Sequence, residues 1–456
     1  MEVSEKKINS KEKRLKVMGE APVPEALLKL GIPTVIGMII TALYNFTDAY
    51  FANGLGTAQT GAIGIAFPIS QIISGIGMMI GNGAGVYISR LLGNSNRKRA
   101  NETASTTLYL GMVLGILIII IMLIFINPIL RGLGAIDLSV FMYTKQYSVI
   151  YIATSVFSIF NIILNNIMIG EGASGITMFA MMLSGILNII LCPIMIYGAH
   201  MGIRGAAVAT ALAQAATTII YIIIILSKKS LFSFSIKYVH PDKKMTAEIF
   251  KVGIPVMVFQ LLTSISMGVA NIIVAKYGRA ALAAFSNATR IIALGSYVIF
   301  GFTKGFQPFA GYCFGAKKYN RLNEGIKTAI KWSEIFCICF TLILVIFPRG
   351  IMALFPTKDI NVINITVDIL RINGITFSVF GFTMVYAILF LAIGKGAKGA
   401  ILTIARQGIY YFPVILILPI FLGLNGVIFA QSIADVLAAI TAVIMSRSVK
   451  KDLINF

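Results

Sequence analysis

Charge is what this chain has least of. Of its 456 residues only 12% are charged, against about 25% in a soluble globular protein. That excludes a soluble enzyme carrying a mere membrane anchor. Histidine is nearly absent, with two residues, His200 and His240, both in or next to loops. Cysteine is scarce: Cys192, Cys313, Cys337 and Cys339 lie in or beside apolar segments without zinc-finger spacing, as small packing residues would. No Walker loop, HExxH or GxSxG occurs, so neither a nucleotide-driven motor nor a familiar hydrolase is encoded. No catalytic group, no metal site and no cofactor is expected. The opening stretch MEVSEKKINSKEKRLK has neither a short apolar core nor a small-residue cleavage site; it reads as a cytosolic tail rather than a signal peptide.

Apolar sequence is what the chain has in abundance, at 58%. Runs such as LGMVLGILIIIIMLIFI, Leu110 to Ile126, recur about twelve times, and about 18 such residues suffice to cross a bilayer. The segments fall near residues 27–53, 60–89, 105–130, 139–169, 174–197, 203–227, 247–275, 281–311, 325–347, 363–393, 399–421 and 425–446. Lys and Arg, which give the net charge of +21, concentrate in the tails and in the loops on the side of the N-terminus. By the positive-inside rule both termini are then cytoplasmic, in a multi-pass protein of the plasma (inner cell) membrane. The basic charge is accounted for by topology and by anionic lipid headgroups; nucleic acid is not expected as a partner.

The two halves repeat. GIP at Gly31 to Pro33 recurs at Gly253 to Pro255, an offset of 222, and Gly56, Gly83 and Gly93 recur at Gly278, Gly305 and Gly315. RANE at Arg99 to Glu102 is followed by RLNE at Arg321 to Glu324. Further on the offset drifts: GEGASG (Gly170 to Gly175) aligns with GKGAKG (Gly394 to Gly399), and Gly202 and Gly205 with Gly423 and Gly426. Glycines matched in one order through a whole half mark an internal repeat. Six helices per half is an even number, so the repeats are parallel, related by an axis along the membrane normal. The expected fold is all-α: twelve transmembrane helices in two pseudo-symmetric six-helix lobes around a central cavity. Its parts are a basic cytoplasmic tail (1–26), a first lobe (27–227), a linker (228–246), a second lobe (247–447) and a tail (448–456). Pro33, Pro68, Pro193, Pro255, Pro308 and Pro413 lie inside helices, where kinks can let a helix bend as a lobe moves.

A charge at mid-bilayer costs about 2.5–3.5 kcal/mol on insertion scales, so the few intramembrane acids are informative. Of the 17 acidic residues, Asp48 and Asp435 lie well inside helices, with Glu334 and Asp368 nearer helix ends. Asp48 stands six residues before Gly54, roughly 9 Å from the helix end, and Tyr44 and Asn45 share its face at i−4 and i−3. A carboxyl group there can alternate between neutral and charged forms as a cavity opens to either side, which is what coupling to an ion requires. Asn188 and Cys192 on the fifth helix, and Thr210 and Gln214 on the sixth, are candidates to complete a pocket around it. At the matching position of the second lobe stands Ala270; Gln260 and Asn271 are the polar residues of that helix. Asp435 either pairs with Arg406 or contacts substrate. Asn165 and Gln307 are further cavity candidates. The 30 Phe and 20 Met suit an adaptable apolar cavity in which aromatic faces and one carboxylate attract an organic cation.

On these features the chain resembles the multidrug and toxic compound extrusion (MATE) family, in its MepA-like branch. The resemblance runs from about Leu27 to Arg447. It is carried by the 6+6 repeat with GIPTVIGMIITALYNFTDAYF, GAGVYISRLLG, LNIILCPIMIYG, GIRGAAVATALAQ, RQGIYYFP and IADVLAA. It implies secondary efflux of cationic amphiphiles driven by an inward proton or sodium gradient, by a protein expected to work as a monomer. By position, Asp48 matches the family's first-helix acid, Asn188 its fifth-helix amide and Thr210 its sixth-helix hydroxyl, with Asn45 beside them. Cys192 departs from the pattern: this chain reads LCP where the family often reads LDP. The second lobe also lacks a seventh-helix acid. One carboxylate in place of two favours H+ over Na+ as the coupling ion. Two other readings stand beside this one. A lipid-linked precursor flippase of the same superfamily would use Arg290, Lys304 and Arg406 to make a cationic cavity. A non-transporting membrane receptor would need no coupling group.

Overall fold

The computed structural model describes residues 2–135, 137–353 and 359–454. In chain order the helices are α1 (Glu2–Gly19), α2 (Val23–Asn53), α3 (Thr57–Gly93), α4 (Arg97–Ile124), α5 (Ile126–Gly132), α6 (Leu138–Gly170), α7 (Ser174–Pro193) and α8 (Ile203–Leu226). The second half continues with α9 (Lys243–Ala275), α10 (Arg279–Gly315), α11 (Tyr319–Ile346), α12 (Pro348–Met352), α13 (Ile360–Phe377), α14 (Phe380–Ala392), α15 (Gly396–Ile404), α16 (Tyr411–Leu422) and α17 (Leu424–Ile454). Among the described residues twelve stretches are long and apolar enough to span a membrane, arranged as two six-helix lobes with α1 and the end of α17 on one face, called here the tail face.

Local chemistry starts and stops these helices. Asp137, Asp242 and Asp359 are N-caps, accepting hydrogen bonds from Ser139, Lys244 and Asn361 backbone N–H groups at 2.9, 3.3 and 2.9 Å. Gly56 and Gly278 open α3 and α10 at φ 99° and 100°, a conformation open to glycine; they are repeat mates. Helices α2, α3, α9 and α10 continue through Pro33, Pro68, Pro255 and Pro308. Pro193 and Pro413 instead adjoin π-helical turns, Ile194–Gly198 and Ala405–Tyr410, where an extra residue per turn re-aims the helix.

The structure corrects several details read from sequence. The N-terminal stretch is a helix, α1, and the last helix runs on to Ile454, beyond its apolar span Leu424–Val449. The tenth span is broken into α13 and α14. Glu334 is central in α11, not near its end, and accepts a hydrogen bond from the Phe382 N–H at 2.5 Å at the start of α14; Asp368 is likewise mid-helix in α13 and exposed. The repeat offset near GEGASG stays at 222: the left-handed glycines are Gly172 (φ 78°) and Gly394 (φ 79°), so Gly172 and Gly394 are mates and Glu171 faces Ile393 across the repeat.

The repeat glycines build the lobe interface. A Cβ on Gly305 (α10) would lie 2.5 Å from the Gly31 Cα (α2). One on Gly83 (α3) would meet the Ile249 carbonyl (α9) at 2.2 Å, and one on Gly253 the Met79 carbonyl at 1.9 Å. At the pseudo-axis Gly93 meets the Tyr312 carbonyl, and its mate Gly315 the Arg90 carbonyl, each at 2.1 Å. All these approaches lie in the tail-side halves of the helices. Toward the opposite face Gly37 packs on Met181 of its own lobe, and contacts between lobes there include Arg290 over the Phe46 ring at 5.8 Å. The lobes are thus joined backbone to backbone at the tail face and contact through side chains beyond it.

Candidate functional site: the carboxylate of the first lobe

Asp48 sits in the far-side half of α2, against α6 and α7. The Cys192 thiol of α7 lies within hydrogen-bonding reach of it. The hydroxyls of Tyr44 (α2), Tyr147 and Tyr151 (α6) lie within electrostatic range of the carboxyl. Tyr147 and Tyr151 stack with ring centroids 5.9 Å apart, and the Tyr151 hydroxyl reaches Ser70 of α3. Asn45 is bonded by Tyr297 of α10, so the second lobe touches this helix one turn before Asp48. The Asp48 Oδ1 atom is buried and has no hydrogen-bond partner among the described residues. An ionised oxygen buried without a partner carries a large desolvation cost. Such a group is a strong acceptor for a proton or a small cation.

The amide and hydroxyl of α7 and α8 do come together: Asn188 Nδ2 donates to Thr210 Oγ1 at 3.1 Å. Asn188 Oδ1 is a second buried acceptor without a hydrogen-bond partner among the described residues, one helical turn from Cys192 on the same face of α7. Two other candidates are spent on packing α6 against α8. Asn161 Nδ2 donates to Gln214 Oε1 at 2.8 Å and its Oδ1 accepts from the Thr218 hydroxyl at 3.0 Å; Asn165 Nδ2 donates to the Tyr221 hydroxyl at 3.1 Å. Gln307 Nε2 donates to Asn82 Oδ1 at 2.9 Å, tying α10 to α3 across the lobe interface. Gln260 is half-buried where α9 passes Gly75 of α3. Asn271 is half-buried toward the far end of α9.

The second lobe holds the other deep acid. Asp435 Oδ1 accepts from Arg406 Nε at 2.6 Å and from Gln431 Nε2 at 2.8 Å. The Arg406 guanidinium lies 4.3 Å from the centroid of the Phe380 ring. This charge is paired, hydrogen-bonded and covered. Ala270, the mate of Asp48, is fully buried among Val274, Ala281 and Tyr411. Among the described residues no group of three His, Cys, Asp or Glu side chains could hold a metal ion.

The MatE family model matches residues 33–194 and 255–417, one match in each lobe, starting 222 residues apart. The chain belongs to the MatE family. It is 31% identical over 437 residues to the multidrug export protein MepA of Staphylococcus aureus strain MSSA476, covering 95% of this chain and 96% of that one. To MepA of Staphylococcus haemolyticus it is 31% identical, covering 97% of each. The fold superimposes with a TM-score of 0.92, at 28% identity, on a multidrug resistance MATE family transporter of the MOP superfamily in an outward-facing conformation, covering 97% of this chain and 99% of that one.

Within this MatE chain, sequence reasoning found the carboxylate and part of its surroundings. Cys192, read both as a packing residue and as a candidate for the pocket, is fully buried and faces Asp48. Tyr147, Tyr151 and Tyr297 were missed. A signal existed for two of them: Tyr147 and Tyr151 in YSVIY are four apart, a polar aromatic stripe on one face of α6. Tyr297 is brought in by packing between lobes, which no local pattern announces.

Proposed function

We propose that this protein is a secondary multidrug efflux antiporter of the cell membrane, expelling cationic amphiphiles by alternating access in exchange for protons that bind Asp48. The observation that carries the proposal is the buried, unpartnered Oδ1 of Asp48 in a pocket of thiol and hydroxyl groups. A protonated Asp48 is neutral and settles in its pocket. An ionised one attracts a cation, so proton and cationic drug compete for one charge. The basic loops put the tail face in the cytoplasm. The glycine-lined closure is then cytoplasmic, and the cleft opens outward. The relatives named MepA support the multidrug reading. One chain supplies both lobes and therefore a complete cleft, which supports a monomeric transporter. No catalytic step, metal or cofactor enters this scheme; the ion is the only co-substrate.

A flippase with a cationic cavity is less well supported. Of its three candidate cations, Arg406 is neutralised by Asp435 and Arg290 lies over Phe46, which leaves Lys304, half-buried on α10.

The test is transport of one fluorescent organic cation in liposomes with an imposed proton or sodium gradient. A proton gradient should drive uptake in everted orientation, and Asp48→Asn should lower it by at least about tenfold, the scale of one essential interaction. Full gradient-driven transport by Asp48→Asn removes Asp48 as the coupling group. Transport driven by sodium alone would reassign the unpartnered oxygens of Asp48 and Asn188 to a sodium site.

A further inference from the structure

The helix α1 lies outside the transport scheme, yet it touches both lobes. Arg14 Nη1 bonds Glu171 Oε1 at 3.0 Å. Glu171, in the α6–α7 turn of the first lobe, is fully buried and its Oε2 also accepts from Ser230 Oγ and the Leu231 N–H, both at 2.8 Å. One turn later, the last carbonyls of α1 are taken up by the second lobe. Arg321 Nη2 donates to the Val17 carbonyl at 3.2 Å and Arg321 Nε to the Met18 carbonyl at 3.0 Å; Lys318 Nζ donates to the Gly19 carbonyl at 2.9 Å. Cations at a helix C-terminus satisfy its orphan carbonyls and complement its dipole. Met18 itself is fully buried, packed with Phe309, Cys313 and Leu322 of the second lobe, and lies 3.2 Å from where a Cβ on Gly172 of the first lobe would be.

We propose that α1 is a latch across the tail face: its Arg14 end is fixed to Glu171 and its carbonyl end to Arg321 and Lys318. The lobes cannot part there until one set lets go. The two sets belong to different lobes and to loops, α6–α7 and α10–α11, that any opening of the tail face separates. The bonds are charge-assisted, which makes them stronger than ordinary hydrogen bonds, and they have discrete made and broken states, as a switching element needs. The latch thus sets the population of the tail-open state and the rate at which the carrier resets. It is independent of which ion or drug is carried.

The chain holds its own reporter. Cys313 is fully buried beneath α1, its Sγ 3.9 Å from the Met18 carbonyl. The full-length protein in detergent is treated with a small hydrophilic maleimide, and alkylation of the Cys313 peptide is followed by mass spectrometry. In Arg14→Gln, Arg321→Gln and the double variant, Cys313 should be alkylated at least about tenfold faster than in wild type, the factor expected from losing one charge-assisted bond. Arg14→Lys, which keeps the charge facing Glu171, should retain protection. Its thermal midpoint, measured in parallel, separates latch release from general unfolding. Unchanged Cys313 reactivity in all three neutralised variants, with wild-type midpoints, would overturn the latch; so would faster reactivity that merely follows a fallen midpoint. Neither result depends on a gradient or a drug, so the latch can fail while Asp48 coupling stands, and the reverse.

Discussion

The two lobes share a fold and an offset of 222 residues, and each buries one intramembrane aspartate, but they treat it in opposite ways. In the second lobe Asp435 is held by Arg406 and Gln431, and the arginine is roofed by Phe380. In the first, Asp48 has a thiol beside it, tyrosine hydroxyls around it and an oxygen with no hydrogen-bond partner among the described residues. A satisfied charge is a strut; an unsatisfied one has capacity left for a ligand. The difference teaches that depth in the membrane does not by itself mark the working residue. Partner count does.

The sharpest way to break this comparison is to remove each charge and compare the costs. Arg406→Ala leaves Asp435 buried without its cation, and breaking a buried pair from one side costs about 3–5 kcal/mol. The thermal midpoint of the purified protein should fall by many degrees, and Arg406→Met/Asp435→Leu should recover much of it. Asp48→Asn removes no partner, and its midpoint should stay near wild type while coupled transport is lost. Equal destabilisation by the two variants would erase the distinction between strut and site.

A second test asks where the lobes are alike. Gly83 and Gly305 are repeat mates, and a Cβ on either would run into backbone of the opposite lobe, at 2.2 and 2.5 Å. Valine at either position should cost about 1–3 kcal/mol by overpacking, read as a lower midpoint. Valine at Gly268, which has nothing within 4 Å, should cost far less. Matching losses at Gly83 and Gly305 would show a symmetric closure around an asymmetric pair of carboxylates; a loss at one alone would show that only one lobe boundary is tight.

What could be read in advance follows the same division. The spans, the repeat and the glycines were legible because they are written in composition and spacing: a lipid-facing helix needs a long apolar run, and a close crossing needs a missing side chain. Asp48 and Asp435 were legible because a charge in such a run is costly. That Asp435 is paired was legible only as one of two alternatives, since Arg406 lies 29 residues from Asp435 in sequence and only packing joins them. Tyr297 near Asp48 was hidden for the same reason. Glu334, 48 residues from the Phe382 N–H it binds, shows that even a helix break is repaired by a group far along the chain.

The smallest effect should come from the mates Arg99 and Arg321, which reach the segments that precede each lobe's first span. Arg321 bonds main-chain carbonyls of α1, which do not titrate. Arg99 bonds the side chain of Asp242, the N-cap of α9. The Lys244 N–H, with Arg99 beside it, holds the Asp242 carboxyl below the usual carboxylate range. A depressed acid contributes stability above its unfolded value, about 3.9, and that contribution is lost as pH falls through the lower folded value. The midpoint difference between wild type and Asp242→Ala should therefore be small and constant from pH 8 to about 5 and should shrink below about pH 4. Arg99→Gln should follow the same profile, because its partner is the titrating group. The difference caused by Arg321→Gln should show no such change, because neither the guanidinium nor the α1 carbonyls gain or lose a proton there. Parallel pH profiles for the two arginine variants would mean that these repeat mates do the same work after all, and that α1 is not distinguished from the linker by the kind of acceptor it offers.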